Sequence, residues 1–361
     1  MTDTALLPSE RAVYALRELY RTHGYRHYKV SKFEEYDLYA GNKSFLADRN
    51  VLTFTDTDGR LLALKPDITL SIIKNTKASG GIHKVFYNEH VYRTNGGGFR
   101  EIMQTGLECL GEIDFYSACE VLCLAYKSLG ILSENFLLEL SDMGFVSGLI
   151  EMITDSEEIA ERILNEMGAK NTFAIRELLK DCDSELVDTL CEITMLYGDT
   201  DTCLEKMEAL VKNARMESSL NELKETVRVL KECACCDNLR IDFSITNDMH
   251  YYNGIIFKGY IDGIAKSVLS GGRYDSLLAD MGKKGAAIGF AVYLDELDRL
   301  LASKSEYDLD TLVVYDSSTP TAVITDTVNR LISENRTVMT QCSETTDLRV
   351  KSIVDLRGGE R

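Results

Sequence analysis

The spacing of apolar positions changes character along the chain. Up to about residue 144, helical and strand periods alternate. Val13, Leu16, Leu19 and Tyr20 recur at helical spacing and predict a helix over residues 9–23, capped by Ser9 and ended by Gly24. Residues 51–64 read as two strands around the turn Asp58-Gly59. Pro66-Asp67 opens a further helix, with the proline in its first turn. Residues 83–91 and 101–109 are expected strands flanking a glycine-rich loop at 95–98, and residues 117–129 a helix closed by Gly130.

Strand periods vanish between about 145 and 236. Ile159, Ile163, Leu164 and Met167 mark one apolar helical face, and Leu220, Leu223, Val227 and Leu230 another. A mostly helical insertion is expected there. Strand character returns at 239–245 and 254–260, Gly271-Gly272 breaks the pattern, and 288–300 reads as a strand leading into a helix. A strand at 309–315, a helix at 321–335 and a strand at 336–340 then predict the start of a small α/β unit, shorter than a complete domain of that kind.

A chain of 361 residues supports a large core and two or three domains. Its formal charge of −18 argues against a nucleic-acid backbone as the main partner, because phosphate neutralisation supplies much of such affinity. No apolar run reaches membrane-spanning length and MTDTALLPSE lacks the features of a secretory signal, so a cytoplasmic location is expected. The ten cysteines are irregularly spaced and are expected as reduced thiols. Cys233, Cys235 and Cys236 cluster, but without the fourth ligand and partner pair of a soft-metal site. They are read as the end of an amphipathic helix, and no metal or cofactor is expected.

Candidate chemistry sits in four segments. These are LLALKPDIT (61–69), FREIMQTGLECLG (99–111), YYNGIIF (251–257), and SGGRYDSLL (270–278) with AAIGFAVYLDEL (286–297). Gln104 and Glu108 are four apart, so on one strand they point to the same face, whereas Tyr251 and Tyr252 cannot. Taken together and in this order, the segments resemble the catalytic core of the histidyl-tRNA synthetases over about residues 5–302. The resemblance implies an α+β fold: a class II aminoacyl-tRNA synthetase-like core with an antiparallel sheet flanked by helices, over 1–144 and 237–303. The helical insertion then occupies 145–236, and a truncated anticodon-binding-like α/β segment 304–361.

The resemblance also implies a pocket for free histidine. Asp67, Thr69 and Gln104 match the groups that take the ammonium. Glu108 and Tyr252 match those that take the imidazole, with Tyr251 nearby, and Arg100 belongs to the same site. An imidazole held in one tautomer needs an acceptor and a polar partner, which a carboxylate and a phenol supply. The chain departs from a synthetase elsewhere. Arg93 matches the first ATP arginine, but Glu296 stands where the second belongs, and a carboxylate beside a triphosphate is repulsive. Arg299 lies three residues on, out of register. Asn247 replaces the arginine that meets the substrate carboxylate, the Arg93–Arg100 loop is shortened around Gly96-Gly97-Gly98, and Ser31 replaces a motif 1 proline.

This combination resembles family paralogues that have lost aminoacylation and serve as the regulatory subunit of ATP phosphoribosyltransferase in histidine biosynthesis. Such a paralogue is not itself an enzyme, and no catalytic residue is expected. Its implied partners are the short-form catalytic subunit in a hetero-oligomer (a hetero-octamer in that family), a second copy through the core, and L-histidine as effector, without tRNA. The alternative is a divergent histidyl-tRNA synthetase, a histidine–tRNA ligase.

Overall fold

The computed structural model describes residues 7–41, 51–76, 81–95, 98–246, 252–295 and 307–358. The chain divides into two compact units, Met1–Asp298 and Arg299–Arg361. In the first, nine strands among the described residues form one mixed sheet: β1 (Arg26–His27), β5 (Ile82–Asn95), β6 (Gly98–Gly111), β7 (Phe136–Asp142), β8 (Tyr197–Gly198), β9 (Leu239–Asp242), β10 (Ile255–Ile261), β11 (Leu269–Arg273) and β12 (Ala286–Tyr293). Their order is β1-β5-β6-β12-β11-β10-β7-β9-β8. The run from β5 to β7 is antiparallel throughout; the joins β1–β5 and β7–β9 are parallel. A small antiparallel sheet, β2 (Phe33–Glu35), β4 (Leu61–Leu64) and β3 (Thr53–Thr55), sits beside it in sequence.

One row of side chains crosses the large sheet in register: Phe86, Leu107, Phe290, Gly271, Phe257, Leu140 and Ile241. Its side chains are all buried. The helices Pro8–Thr22 and Phe115–Leu132 cover this face. Tyr20 packs on Phe86 and Phe290 with ring centroids 6.1 and 6.0 Å away, and its hydroxyl meets Ser128 Oγ at 3.0 Å. Phe115–Leu132 is long and apolar enough to cross a membrane by length and composition, unlike any run expected from the sequence. Here it packs on the sheet, with Val121, Leu122, Leu124 and Leu129 buried.

Several boundaries differ from the sequence reading for local reasons. The first helix starts at Pro8, ahead of its expected cap: Glu10 accepts the Leu7 N–H at 2.8 Å, and Ser9 is already helical. The helix expected to open at Pro66-Asp67 begins at Thr69; Asp67 Oδ1 accepts the Leu70 N–H at 3.3 Å. Phe115–Leu132 runs through Gly130, starting on an Asp114 cap whose Oδ1 takes the Ser117 N–H at 2.8 Å. Gly271-Gly272 lies inside β11 rather than interrupting a strand.

Residues 143–232 are helical, in six helices whose caps explain their phasing: Met143–Ile153, Glu157–Gly168, Thr172–Leu178, Ser184–Thr194, Thr200–Leu210 and Ala214–Glu232. Each has a side-chain N-cap: Asp142, Ser156, Asn171, Asp183, Asp199 and Asn213 in turn. The two-residue β8 is the exception to an all-helical segment. Cys233 ends the last helix, Ala234 takes a left-handed φ of 55°, and the Cys235 N–H returns to Leu230 O at 2.8 Å. Cys235 is buried, and among the described residues no group of His, Cys, Asp or Glu has a metal-holding arrangement.

The second unit is a parallel sheet, β14 (Val338–Gln341), β13 (Leu309–Val314) and β15 (Val350–Asp355), with the helix Thr321–Ser333 between β13 and β14. Leu309, Leu312 and Val314 form its core with Val350. The strand β15 has no counterpart in the sequence reading.

Two glycines test this packing in opposite directions. A Cβ on Gly271 would lie 2.4 Å from Gly289 O and 2.5 Å from Phe290 Cβ. Gly271→Ala is therefore expected to lower unfolding free energy by about 1–3 kcal/mol. On Gly130 the nearest atom would be Phe136 Cε1 at 3.6 Å, so Gly130→Ala should raise it by about 0.5–1 kcal/mol. Urea denaturation monitored by circular dichroism reads both signs.

Candidate functional site

Opposite the apolar row lies a polar one. Val85, Glu108, Gly289, Gly272, Ile256 and Ser141 are in register across β5, β6, β12, β11, β10 and β7. Glu108 is 2 % exposed. Its Oε1 accepts the Thr69 hydroxyl at 2.8 Å, and its Oε2 accepts the Tyr274 hydroxyl in a short contact. The carboxyl lies flat over its neighbour because that neighbour has no side chain: a Cβ on Gly289 would sit on Glu108 Oε2. Burial pushes the Glu108 carboxyl up to about 8; the two hydroxyl donors oppose the shift and the nearby Asp67 adds to it.

Two further glycines serve the same floor. A Cβ on Gly272 would strike the Tyr252 ring at 2.5 Å, and one on Gly106 the Tyr87 hydroxyl at 2.6 Å. Large side chains can lie across the strands because the strands beneath them are bare. Tyr252 is buried over Gly272, and Gln104, 3 % exposed, shares the Glu108 face of β6 two pairs along. Among the described residues Gln104 Nε2 has no hydrogen-bond partner. A buried amide donor left open is costly, so its position suits an acceptor brought by a ligand.

Thr69 and Asp67 are delivered by the start of the helix Thr69–Asn75. The far end of that helix is held by Lys283, whose Nζ donates to the carbonyls of Ile73, Lys74 and Thr76. The Thr69 hydroxyl goes to Glu108 rather than pointing at an open ammonium site. Tyr274, absent from the sequence-derived set, stands inside the quoted segment SGGRYDSLL. Its backbone N–H pairs with Ala287 O at 2.8 Å, and the adjacent Asp275 Oδ1 takes the Ala287 N–H at 2.8 Å. That clamp aims the phenol at Glu108. Its signal in the sequence was the Arg-Tyr-Asp run straight after two glycines of a strand.

At the rim, Arg100 approaches Asp295 at 3.5 Å, and Asp295 also accepts the Met103 N–H at 3.0 Å. Arg93 Nε donates to Pro66 O at 3.2 Å. Lys65, fully buried, pairs with Glu89 at 2.7 Å. Thus Thr69, Gln104, Glu108 and Tyr252 share one face of the sheet, with Asp67 beside them and Arg100 further out. Tyr251, Asn247, Gly96-Gly97, Glu296 and Arg299 lie outside the described residues.

The histidyl-tRNA synthetase family model matches residues 6–297. The ATP phosphoribosyltransferase regulatory subunit of Clostridium kluyveri is 30% identical over 319 residues, 83% of this chain and 81% of that protein. The solved ATP phosphoribosyltransferase regulatory subunit/histidyl-tRNA synthetase of Bacillus halodurans aligns with a TM-score of 0.74 and 21% identity, over 98% of this chain and 95% of that one. A chain of the ATP phosphoribosyl transferase complex of Thermotoga maritima aligns with a TM-score of 0.63 and 21% identity, over 79% and 96%. The two structures share its class II synthetase-like fold. Fold and family model together place this chain in the histidyl-tRNA synthetase family. Within that family it belongs to the ATP phosphoribosyltransferase regulatory subunits.

The raised Glu108 carboxyl has a stability signature. Its folded value of about 8 lies above the ordinary 4.5, so its contribution is full below pH 4.5 and is lost as pH rises toward 8. Glu108→Gln keeps the shape without that loss. Its melting temperature relative to the unsubstituted protein should climb across this window and level off above it, by ~1–2 °C for each kcal/mol involved. A flat difference in a pH series of melting curves would count against a buried, neutral Glu108.

Proposed function

We propose that this regulatory subunit senses free L-histidine in the pocket around Glu108 and passes its occupancy to a short-form catalytic subunit that it activates. The observation that carries the reading is the oriented Glu108 carboxyl beside the open Gln104 amide. An imidazole N–H meets a carboxylate held in one orientation by Thr69 and Tyr274, and Tyr252 and Tyr251 complete the recognition of the ring. Asp67 and Gln104 take the amino group and its neighbourhood, with Thr69 acting through Glu108. Arg100 faces the outer end, where a ligand carboxylate would lie. Family resemblance supports a homodimer through the core and a hetero-octamer with the catalytic subunit, without tRNA. For feedback inhibition, histidine must favour the inhibited assembly over the active one, by ~1–3 kcal/mol in a typical coupling.

Calorimetry with L-histidine and, separately, with ATP and magnesium comes first. Histidine binding without ATP binding is expected. Added to a short catalytic subunit, the protein should raise its activity, and histidine should lower it again. Glu108→Ala should weaken inhibition at least ~10-fold in histidine concentration, the scale of one charge-assisted hydrogen bond, while activation persists. Histidine-dependent pyrophosphate exchange, or activation that histidine never reverses, would overturn the reading.

A further inference from the structure

A second polar cluster occupies the same sheet face, three to four strand spacings from Glu108, roughly 14–19 Å away. Lys258 on β10 is the direct cross-strand partner of Glu139 on β7, and Glu139 in turn faces Arg240 on β9. Ser141 follows Glu139 on the same face of β7. Asp242 completes the group; its carboxylate accepts Lys170 Nζ at 3.2 Å, and Lys170 also lies over the Tyr197 ring at 5.0 Å. Glu139, Ser141 and Asp242 are 8%, 0% and 6% exposed.

The cluster is not closed on itself. Opposite charges paired across adjacent strands normally meet, and Glu139 and Lys258 do not. Among the described residues neither has a hydrogen-bond or ion-pair partner, while the neighbouring Lys170–Asp242 pair is made. The Ser141 hydroxyl is fully buried and also lacks a partner. A buried hydroxyl left open in this way, beside a half-buried lysine and a carboxylate that do not pair, is expected to hold water or a ligand. The face leads along Tyr260 and Leu137 into an open cleft of about 490 Å³ that Asn135, Asn238 and Asp262 also line.

We propose that this cluster is a second small-molecule site, for a zwitterion of amino-acid size whose carboxylate meets Lys258 and whose ammonium meets Glu139. A simple anion would face Glu139 and Asp242, and a simple cation Lys258 and Lys170; a dipolar ligand satisfies both strands at once. Ser141 and Tyr260 supply neutral hydrogen bonds at the sides. The charged groups facing Glu139 are Asp242, Lys170 and Lys258, with Arg240 opposite it on β9. Burial and Asp242 push the Glu139 carboxyl up to about 7. Its ionisation is needed to hold an ammonium, so binding should strengthen as pH rises through about 7.

The full-length protein is screened by thermal shift with the common L-amino acids, and with phosphate and ethylammonium as singly charged controls. The screen is repeated on Glu108→Ala, in which a signal from the histidine-type pocket falls by the ~10-fold expected above while one from the second site does not. At least one amino acid should raise the melting temperature of both proteins. In calorimetry, Lys258→Met and Glu139→Gln should each weaken that ligand ~10-fold or more, the loss of one hydrogen bond to a charged group, with Lys258→Arg retaining it. Cooperative melting of each variant guards against simple misfolding, and Glu139→Gln preserves the side-chain volume. No amino-acid response in Glu108→Ala would leave a water-filled network and overturn the site. Undiminished binding in both substituted proteins would overturn it too, as would a phosphate response that strengthens when pH falls.

Discussion

A carboxyl group buried without a full counter-charge constrains everything around it. Glu108 can sit on β6 only because Thr69 and Tyr274 each give it a hydroxyl and because Gly289 leaves the adjacent strand bare. Those requirements come from three separate stretches of chain: the start of a helix, the turn after β11 and the middle of β12. Two contacts to the backbone hold them in place. Lys283 holds the far end of the Thr69 helix, and the Asp275–Ala287 bond sets Tyr274. A site assembled this way resists rearrangement, because moving any one element leaves a buried polar group unsatisfied.

The two faces of the sheet divide the work. On one, Phe86, Leu107, Phe290, Phe257 and Leu140 form a continuous apolar row that anchors the two covering helices. Gly271 interrupts the row so that the Phe257 and Phe290 rings, 6.2 Å apart, can approach edge to face. On the other face, glycines again leave gaps, but polar groups fill them. Adjacent glycines in β11 thus serve opposite faces: Gly271 yields to a phenylalanine pair and Gly272 to Tyr252. The alternation of strand side chains makes one dipeptide necessary to both the core and the pocket.

Much of this was legible in the sequence where a period was long. The helical segment, the β5–β6 hairpin and the shared face of Gln104 and Glu108 follow from spacing alone. Misreadings occurred where tertiary contacts outweigh local preference. Gly130 reads as a helix end, yet contact with Phe136 and the sheet carries the helix past it. Gly271-Gly272 reads as a break because strand propensity is low for glycine, and nothing local reveals the rings that require it. Tyr274 is silent in the sequence for a related reason. Its role depends on a partner 166 residues away in sequence, and a tyrosine after a strand is ordinarily packing.

The state of Glu108 bears on how a pocket of this kind serves regulation rather than synthesis. With its carboxyl raised to about 8, the free site holds mostly the neutral acid near neutrality. A neutral carboxylic acid offers a donor as well as an acceptor, which an ionised one does not. The hydroxyls of Thr69 and Tyr274 hold that group in one orientation. Glu108 sits opposite Val85 on the long β5–β6 hairpin. A synthetase needs a second, cationic site for ATP beside such a pocket. A sensor needs only a pocket whose electrostatics differ between its empty and filled states.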